Sequence, residues 1–424
     1  VSPSMCDAFP QHSRFLAERL RHFEAQLDTA IRRNFSSLSC APPVWHVRLQ
    51  LCSNHSSVAE LGGDGLHAAH QFKALLLVKA FRKVWERRED PHLLDLVHSL
   101  PGSCMQLFLS FNDWTITHTR AMQALLPLGE MCTVPSATGG IPVPDWTFTQ
   151  YPNINVKWEG TKDSSWEQMW STLQHQFEHQ TVNDRDEVVR WRGRKSQPVF
   201  WLAAPLEYRI RRSIAGTYFL EKNDSLAALG LRNDVKIEKD RLSWRDMCRA
   251  RYQLHVDGYT NAYSLKYRLA CGGTILRVQG GNWVGRHIEI PIEWWEAVTP
   301  LVAGVHYISV HANFSNLISQ LERTSRRASW SIAKNAAKYA RAHLSPTSVE
   351  CYQRAFLSSY AQLYRKWATF CSIGEKINDR LTCREIQKNI YDCSNEARRG
   401  FHNRSSSHNG RPRTSRNFAR QNSM

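Results

Sequence analysis

Residues 243–278, SWRDMCRARYQLHVDGYTNAYSLKYRLACGGTILRV, limit the folds open to this chain more than any other stretch. Tyr252, Leu254 and Val256 alternate ahead of Asp257-Gly258, and Ile275, Leu276 and Val278 follow a second turn at Gly272-Gly273, as strands in a covered sheet do. Between the turns Ala262, Leu265, Leu269 and Ala270 recur at helical spacing and predict a helix with one apolar side. Strand, glycine turn, helix, strand is one parallel βαβ step, which predicts an α/β chain. In such a step the turn after the first strand looks onto a crevice where backbone N–H groups and a helix N-terminus meet phosphate. That makes 257–266 a candidate nucleotide site. A lone step that only packs is the commoner case.

The alternation continues on the N-terminal side. In 15–35, FLAERLRHFEAQLDTAIRRNF, residues Leu16, Leu20, Phe23, Leu27 and Ile31 share one helix face. VWHVRLQL, 44–51, alternates as a strand, and Pro91 after Asp90 opens a short helix. MQLFLSF, 105–111, is an apolar strand running into Asn112-Asp113-Trp114. A carboxylate at the carboxyl end of a buried parallel strand faces the ligand crevice and can accept a proton from an attacking hydroxyl, so Asp113 is the candidate base. An Asx turn or helix cap is the structural alternative.

IPVPDWTFTQYP, 141–152, suits a rigid loop on the crevice wall. Trp114, Trp146 and Phe148 offer flat faces for a sugar or acceptor, or else belong to the core. At the end of a strand over 188–191 stand Arg192, Gly193, Arg194, Lys195 and Ser196. The glycine permits close backbone approach, the hydroxyl can bond a phosphate oxygen, and the cations can neutralise diphosphate. Asp184-Arg185-Asp186 has the DxD spacing of a metal site but falls in a polar run, and is read as solvated.

A chain of 424 residues, 42% hydrophobic, is long enough for two domains, and no run of about 20 apolar residues marks a membrane span. Eleven cysteines without zinc-type CxxC pairs favour disulfides in an oxidising lumen, and five Asn-x-Ser sequons, at Asn34, Asn54, Asn223, Asn313 and Asn403, are compatible with a secretory route. The first residue is Val1, which leaves an upstream signal or membrane anchor open. Much of the +17 net charge lies after Asn395, in an arginine-, serine- and asparagine-rich tail expected to be disordered. Nucleic-acid binding would rest on that charge alone and is not expected.

The blocks at 107–116, 141–152, 188–196, 243–278 and 305–317 (VHYISVHANFSNL) occur in the order found in glycosyltransferase family 90, which the chain resembles. That family includes the Rumi-like protein O-glucosyltransferases and the fungal capsule xylosyltransferases. The resemblance implies a GT-B architecture: an acceptor-side Rossmann-like domain over 1–180, a nucleotide-sugar domain over 181–345, closing helices over 346–394 that pack back on the first domain, and the tail over 395–424. It implies an inverting, metal-independent transfer of glucose or xylose from UDP-glucose or UDP-xylose to a protein or glycan hydroxyl, in the endoplasmic reticulum or Golgi lumen. A catalytically degenerate member that binds nucleotide or glycan without turnover is the alternative.

The roles it carries over are Asp113 as base, and Arg192 to Ser196, Asp257 and Gly258 as donor loops, with Arg209 the nearest match to a further arginine. The family arginine of the βαβ unit falls on Ser264, with Lys266 the nearest cation, and lysine lacks the guanidinium fork. An insertion over 280–291 leaves Glu293 and Glu296 as rival matches to a donor-contacting glutamate, Glu296 being preferred. The resemblance also implies a Cys248–Cys271 disulfide and a tie from Cys351 to Cys6 or Cys40.

Overall fold

The computed structural model describes residues 3–32, 47–61, 68–87, 90–110, 128–130, 141–149, 151–152, 163–178, 186–193, 222–237, 248–256, 264–278, 282–283, 286–287 and 292–377. Two five-stranded sheets organise them. The first contains β1 (Val47–Cys52), β2 (Ser57–Leu61), β3 (Cys104–Ser110), β4 (Leu128–Glu130) and β5 (Ile141–Pro142), in the order β2-β1-β3-β4-β5. β1 runs antiparallel to β2 and β3, whereas β3, β4 and β5 are parallel. Met105, Leu107 and Leu109 alternate into the core from β3, which is why this stretch forms a strand rather than a helix.

After a short ribbon of β6 (Tyr151–Pro152) and β7 (Asp163–Ser164), the second sheet contains β8 (Asp186–Gly193), β9 (Arg232–Ile237), β10 (Ala250–His255), β11 (Thr274–Val278) and β14 (Ile308–Val310). Its order is β14-β11-β10-β8-β9, and every neighbouring pair is parallel. β11 is buried along its whole length, as a central strand covered on both faces must be. The insertion over 280–291 carries a ribbon of β12 (Asn282–Trp283) against β13 (Arg286–His287).

The predicted βαβ step is present as β10, the helix Ser264–Cys271 and β11. Its helix differs from expectation in one respect: residues 265–271 are buried on every side, not along one face. It lies between the helices Trp166–Glu178 and Arg326–Leu344, so the charged Lys266 and Arg268 are enclosed with the apolar residues. At its end Gly272 adopts φ 67°, and a Cβ there would meet the Phe177 ring at 2.1 Å, so only glycine fits.

The expected Cys248–Cys271 disulfide is not formed: both residues are buried thiols. Gln253 occupies the contact instead, its Nε2 lying 3.2 Å from Cys271 Sγ, while that sulfur also lies 3.6 Å from the Arg268 carbonyl. Among the described residues two disulfides form. Cys6–Cys351 ties the start of the chain to the helix Pro346–Ile377, across a sequence separation of 345, and Cys52–Cys104 joins directly opposed residues of β1 and β3.

That C-terminal helix packs on the helix Pro10–Arg32 and on β3, burying Tyr352, Phe356, Tyr360, Leu363 and Tyr364, and Tyr352 Oη donates to the Pro142 carbonyl. Ahead of it lie two helices, Leu317–Arg323 and Arg326–Leu344, the second capped by Ser325, which accepts from Ala328 N at 3.1 Å. Pro91 opens the helix Pro91–His98 as expected, and Asp90 caps it, accepting from Leu93 N at 3.0 Å. The larger hydrophobic cluster joins the first sheet to Leu265, Tyr267, Trp294 and Trp295, and a smaller one fills the space beside β10, β11 and β14. The tail over 395–424 lies outside the described residues.

Candidate active site

The second sheet reverses its direction of winding at one place. From β8 the chain adds β9 on one side, then crosses back to place β10 on the other side and adds β11 and β14 outward. Helices that cross over on opposite sides of such a point leave a crevice at the carboxyl ends of the two strands, where ligands of open α/β sheets sit. β8 ends on Arg192 and Gly193, and β10 ends on His255. Both candidate donor segments therefore leave neighbouring strand ends on the same edge. Arg194, Lys195, Ser196, Arg209, Asp257 and Gly258 lie outside the described residues, as do Asp113, Trp114 and the side chains of Arg192 and Trp146. Ser264 is half-buried and opens the helix after β10.

The parallel strands of the first sheet point the same way among themselves, so Ser110, Glu130 and Pro142 end on a common edge. Three residues past β5, Asp145 crosses to the second half of the chain. Its Oδ2 accepts from Lys266 Nζ, with both side chains 0% exposed, and its Oδ1 accepts from Thr147 N at 2.7 Å and from Thr147 Oγ1. The contact brings the carboxyl edge of the first sheet against the helix that follows β10.

Lys266 has a second acid beside it. Glu293 Oε2 accepts from Lys266 Nζ at 3.3 Å and from Trp295 Nε1 at 3.0 Å, and the Phe148 ring lies 4.2 Å from the ammonium. One cation between two buried carboxyls cannot leave both ionised cheaply. Burial opposes ionisation of Asp145, but the Lys266 charge, with hydrogen bonds from Glu293, Lys266 and Thr147, holds its carboxyl below the usual range. Burial dominates at Glu293; the Lys266 charge works against it, the Asp145 carboxylate adds to it, and Glu293 is pushed up to about 8. At neutral pH the trio is one carboxylate, one ammonium and one carboxylic acid, with no net charge.

Arg277 and Glu296 form a second buried pair, Nη1 to Oε1 and Nη2 to Oε2, the latter at 3.1 Å. The Tyr307 ring lies 5.5 Å from the guanidinium. Burial, aided by the Glu296 charge, raises Tyr339 well above the ordinary tyrosine value, and its hydroxyl stays a donor to the Thr299 and Trp295 carbonyls.

These positions change three expectations. Lys266 is neutralised inside the core, with no exposed surface to offer a diphosphate. Glu296 is gripped by Arg277, and the rival match Glu293 is held under Lys266 and Trp295, so neither projects into open space. Phe148 is 6% exposed, its ring enclosed by Trp166, Trp294 and the Lys266 ammonium rather than offered to a sugar. Part of the trio carried a signal in the sequence: Asp145 stands three residues after its strand as Asp113 stands three residues after β3.

Comparison with known proteins agrees with the order of blocks along the chain. The model of Glycosyl transferase family 90 matches residues 71–415. The chain is 24% identical over 288 residues to Protein O-glucosyltransferase 2 of Danio rerio, covering 65% of this chain and 50% of that protein, so it spans about half the length of that relative. With most of its length matched by one family model, the chain belongs to glycosyl transferase family 90.

Proposed function

We propose that the chain is an inverting glycosyltransferase of GT-B arrangement that moves glucose or xylose from a UDP-sugar to a hydroxyl of a protein or glycan in the secretory lumen. The observation that carries the reading is the switch point between β8 and β10, from whose carboxyl ends both cationic and glycine-bearing segments depart. Arg192, Gly193, Arg194, Lys195 and Ser196 would hold the diphosphate, with Asp257, Gly258 and Ser264 lining the nucleotide. The carboxylate of Asp113 would take the acceptor proton as the hydroxyl attacks the anomeric carbon opposite the diphosphate, and the basic loop would stabilise the leaving charge. The disulfides Cys6–Cys351 and Cys52–Cys104 suit an oxidising compartment.

The experiment is transfer from UDP-glucose and UDP-xylose to a panel of protein and glycan acceptors, with products read by mass spectrometry. Asp113→Asn should lose activity by on the order of 10²- to 10⁴-fold while still binding UDP. One observation favours a second reading, a family member that binds nucleotide without turnover. Ser264 stands where the resemblance places an arginine, and Lys266, the nearest cation, is committed to Asp145 and Glu293. UDP binding without turnover on any donor would select that reading; turnover lost in Asp113→Asn would reject it.

A further inference from the structure

Of the three Asn-x-Ser sequons that fall in the described residues, those at Asn54 and Asn313 share one conformation. At the tip of the β1–β2 hairpin, Asn54 Oδ1 accepts from Ser56 N at 3.0 Å and from Ser56 Oγ at 2.6 Å. The middle residue His55 has φ 67°, and its N–H donates to the Cys52 carbonyl at 2.9 Å. In the loop after β14, Asn313 Oδ1 accepts from Ser315 N at 3.1 Å. The middle residue Phe314 has φ 61°, and its N–H donates to the His311 carbonyl at 2.9 Å. Left-handed φ is uncommon for residues other than glycine, and a bulky Phe holds it only when its surroundings supply the difference. They do here: Phe314 is 0% exposed in the smaller core, anchoring a loop whose Asn313 and Ser315 remain exposed. Asn54 and Ser56 are exposed around a half-buried His55 in the same way, and Cys52–Cys104 staples the base of that turn.

We propose that Asn54 and Asn313 are N-glycosylation sites, taking their glycan from a lipid-linked oligosaccharide diphosphate. Nδ2 attacks the anomeric carbon of the oligosaccharide, forming the N–C bond. The C–O bond to the lipid diphosphate breaks, that diphosphate leaves with the electron pair, and the transferring enzyme takes one amide proton. Hydrogen bonds donated to Oδ1 by the serine stabilise the charge that develops on the amide oxygen as its nitrogen is deprotonated. Both asparagines are exposed at the periphery of their sheets. Asn54 lies at the amino end of β3, the far edge from Ser110, and Asn313 lies beyond β14, the outermost strand of its sheet. Asn223 differs: it is the first residue of the helix Asn223–Ala228, whose backbone bonds hold the sequon out of a turn. The assignment holds whether or not the chain turns over a sugar nucleotide.

The test is expression of the full chain behind a signal sequence in eukaryotic secretory cells, then glycan release by a peptide N-glycanase in heavy-oxygen water and peptide mapping. Isotope should appear at Asn54 and Asn313 and be low at Asn223. Asn54→Gln and Ser56→Ala should each remove one step of gel mobility, as should Asn313→Gln and Ser315→Ala, with secretion retained. An unlabelled Asn54 or Asn313 in secreted protein overturns the assignment at that position. Equal labelling of Asn223 overturns the claim that the shared turn selects the sites.

Discussion

Lys266 and Arg277, on consecutive elements of one βαβ step, are both buried cations, and they are neutralised differently. Arg277 meets the Glu296 carboxylate, matched nitrogen for oxygen. Lys266 has two carboxyls, of which one carries charge and the other keeps its proton. The trio has a spare acid, and it joins the loop after β5 to the helix after β10, so its tolerance bears on how the two sheets are held together.

The largest effects should come from removing either cation. Lys266→Met leaves the Asp145 carboxylate enclosed beside Glu293 and should cost about 3–5 kcal/mol at neutral pH by chemical denaturation. Without the ammonium, burial raises the folded-state pKa of Asp145 above its unfolded value. That contribution is present at low pH and lost as pH rises, so the variant should regain stability on acidification relative to the native protein. Arg277→Met should cost a similar amount through Glu296. A cost below about 1 kcal/mol for both would mean that neither cluster is desolvated as described.

Removing a carboxylate separates the two clusters. Glu296→Gln takes away the charge that Arg277 grips with both nitrogens and should again cost about 3–5 kcal/mol. Asp145→Asn should cost only about 1.5–3 kcal/mol, the range for a hydrogen bond to a charged group, because Glu293 can ionise and take over the ammonium. Equal losses from the two substitutions would break the comparison.

The sequence showed the scaffold more clearly than this chemistry, and the reason is range. The β10–helix–β11 step, the apolar strand β3 and the short helix opened by Pro91 after Asp90 are written in neighbouring residues, through glycine turns, helical spacing and a proline at a helix start. Asp145, Lys266 and Glu293 are brought together only by folding, and no local pattern says which carboxylate an enclosed lysine meets. The same holds for Cys52–Cys104, fixed by the register of β1 on β3, and for Cys271, whose predicted partner is displaced by Gln253. Residue type at Phe148 allowed both a stacking face and core; only its packing among Trp166, Trp294 and Lys266 decides for core.

The smallest change gives the sharpest reading of the trio. Glu293→Gln keeps the shape of the protonated acid and should cost about 1 kcal/mol or less near pH 5. Its effect is on pH dependence. In the native protein the folded-state pKa of Glu293 is raised from 4.5 to about 8, so its contribution is fully present below about pH 4.5 and is lost as pH rises through 8. The slope over that window is roughly 1.4 kcal/mol per pH unit. Glu293→Gln should abolish this alkaline loss. On the acid side His12, 1% exposed and packed on Trp294 and Tyr352, has its pKa lowered to about 4 by burial and by the charge of His343. The unfolded chain binds that proton near pH 6.5 and the folded chain does not, so this contribution falls from about pH 6.5 to 4: in native protein it offsets the Glu293 gain between about pH 6.5 and 4.5, and in Glu293→Gln it stands alone as a net loss on acidification. A variant that keeps the alkaline loss would place the titrating proton outside the trio.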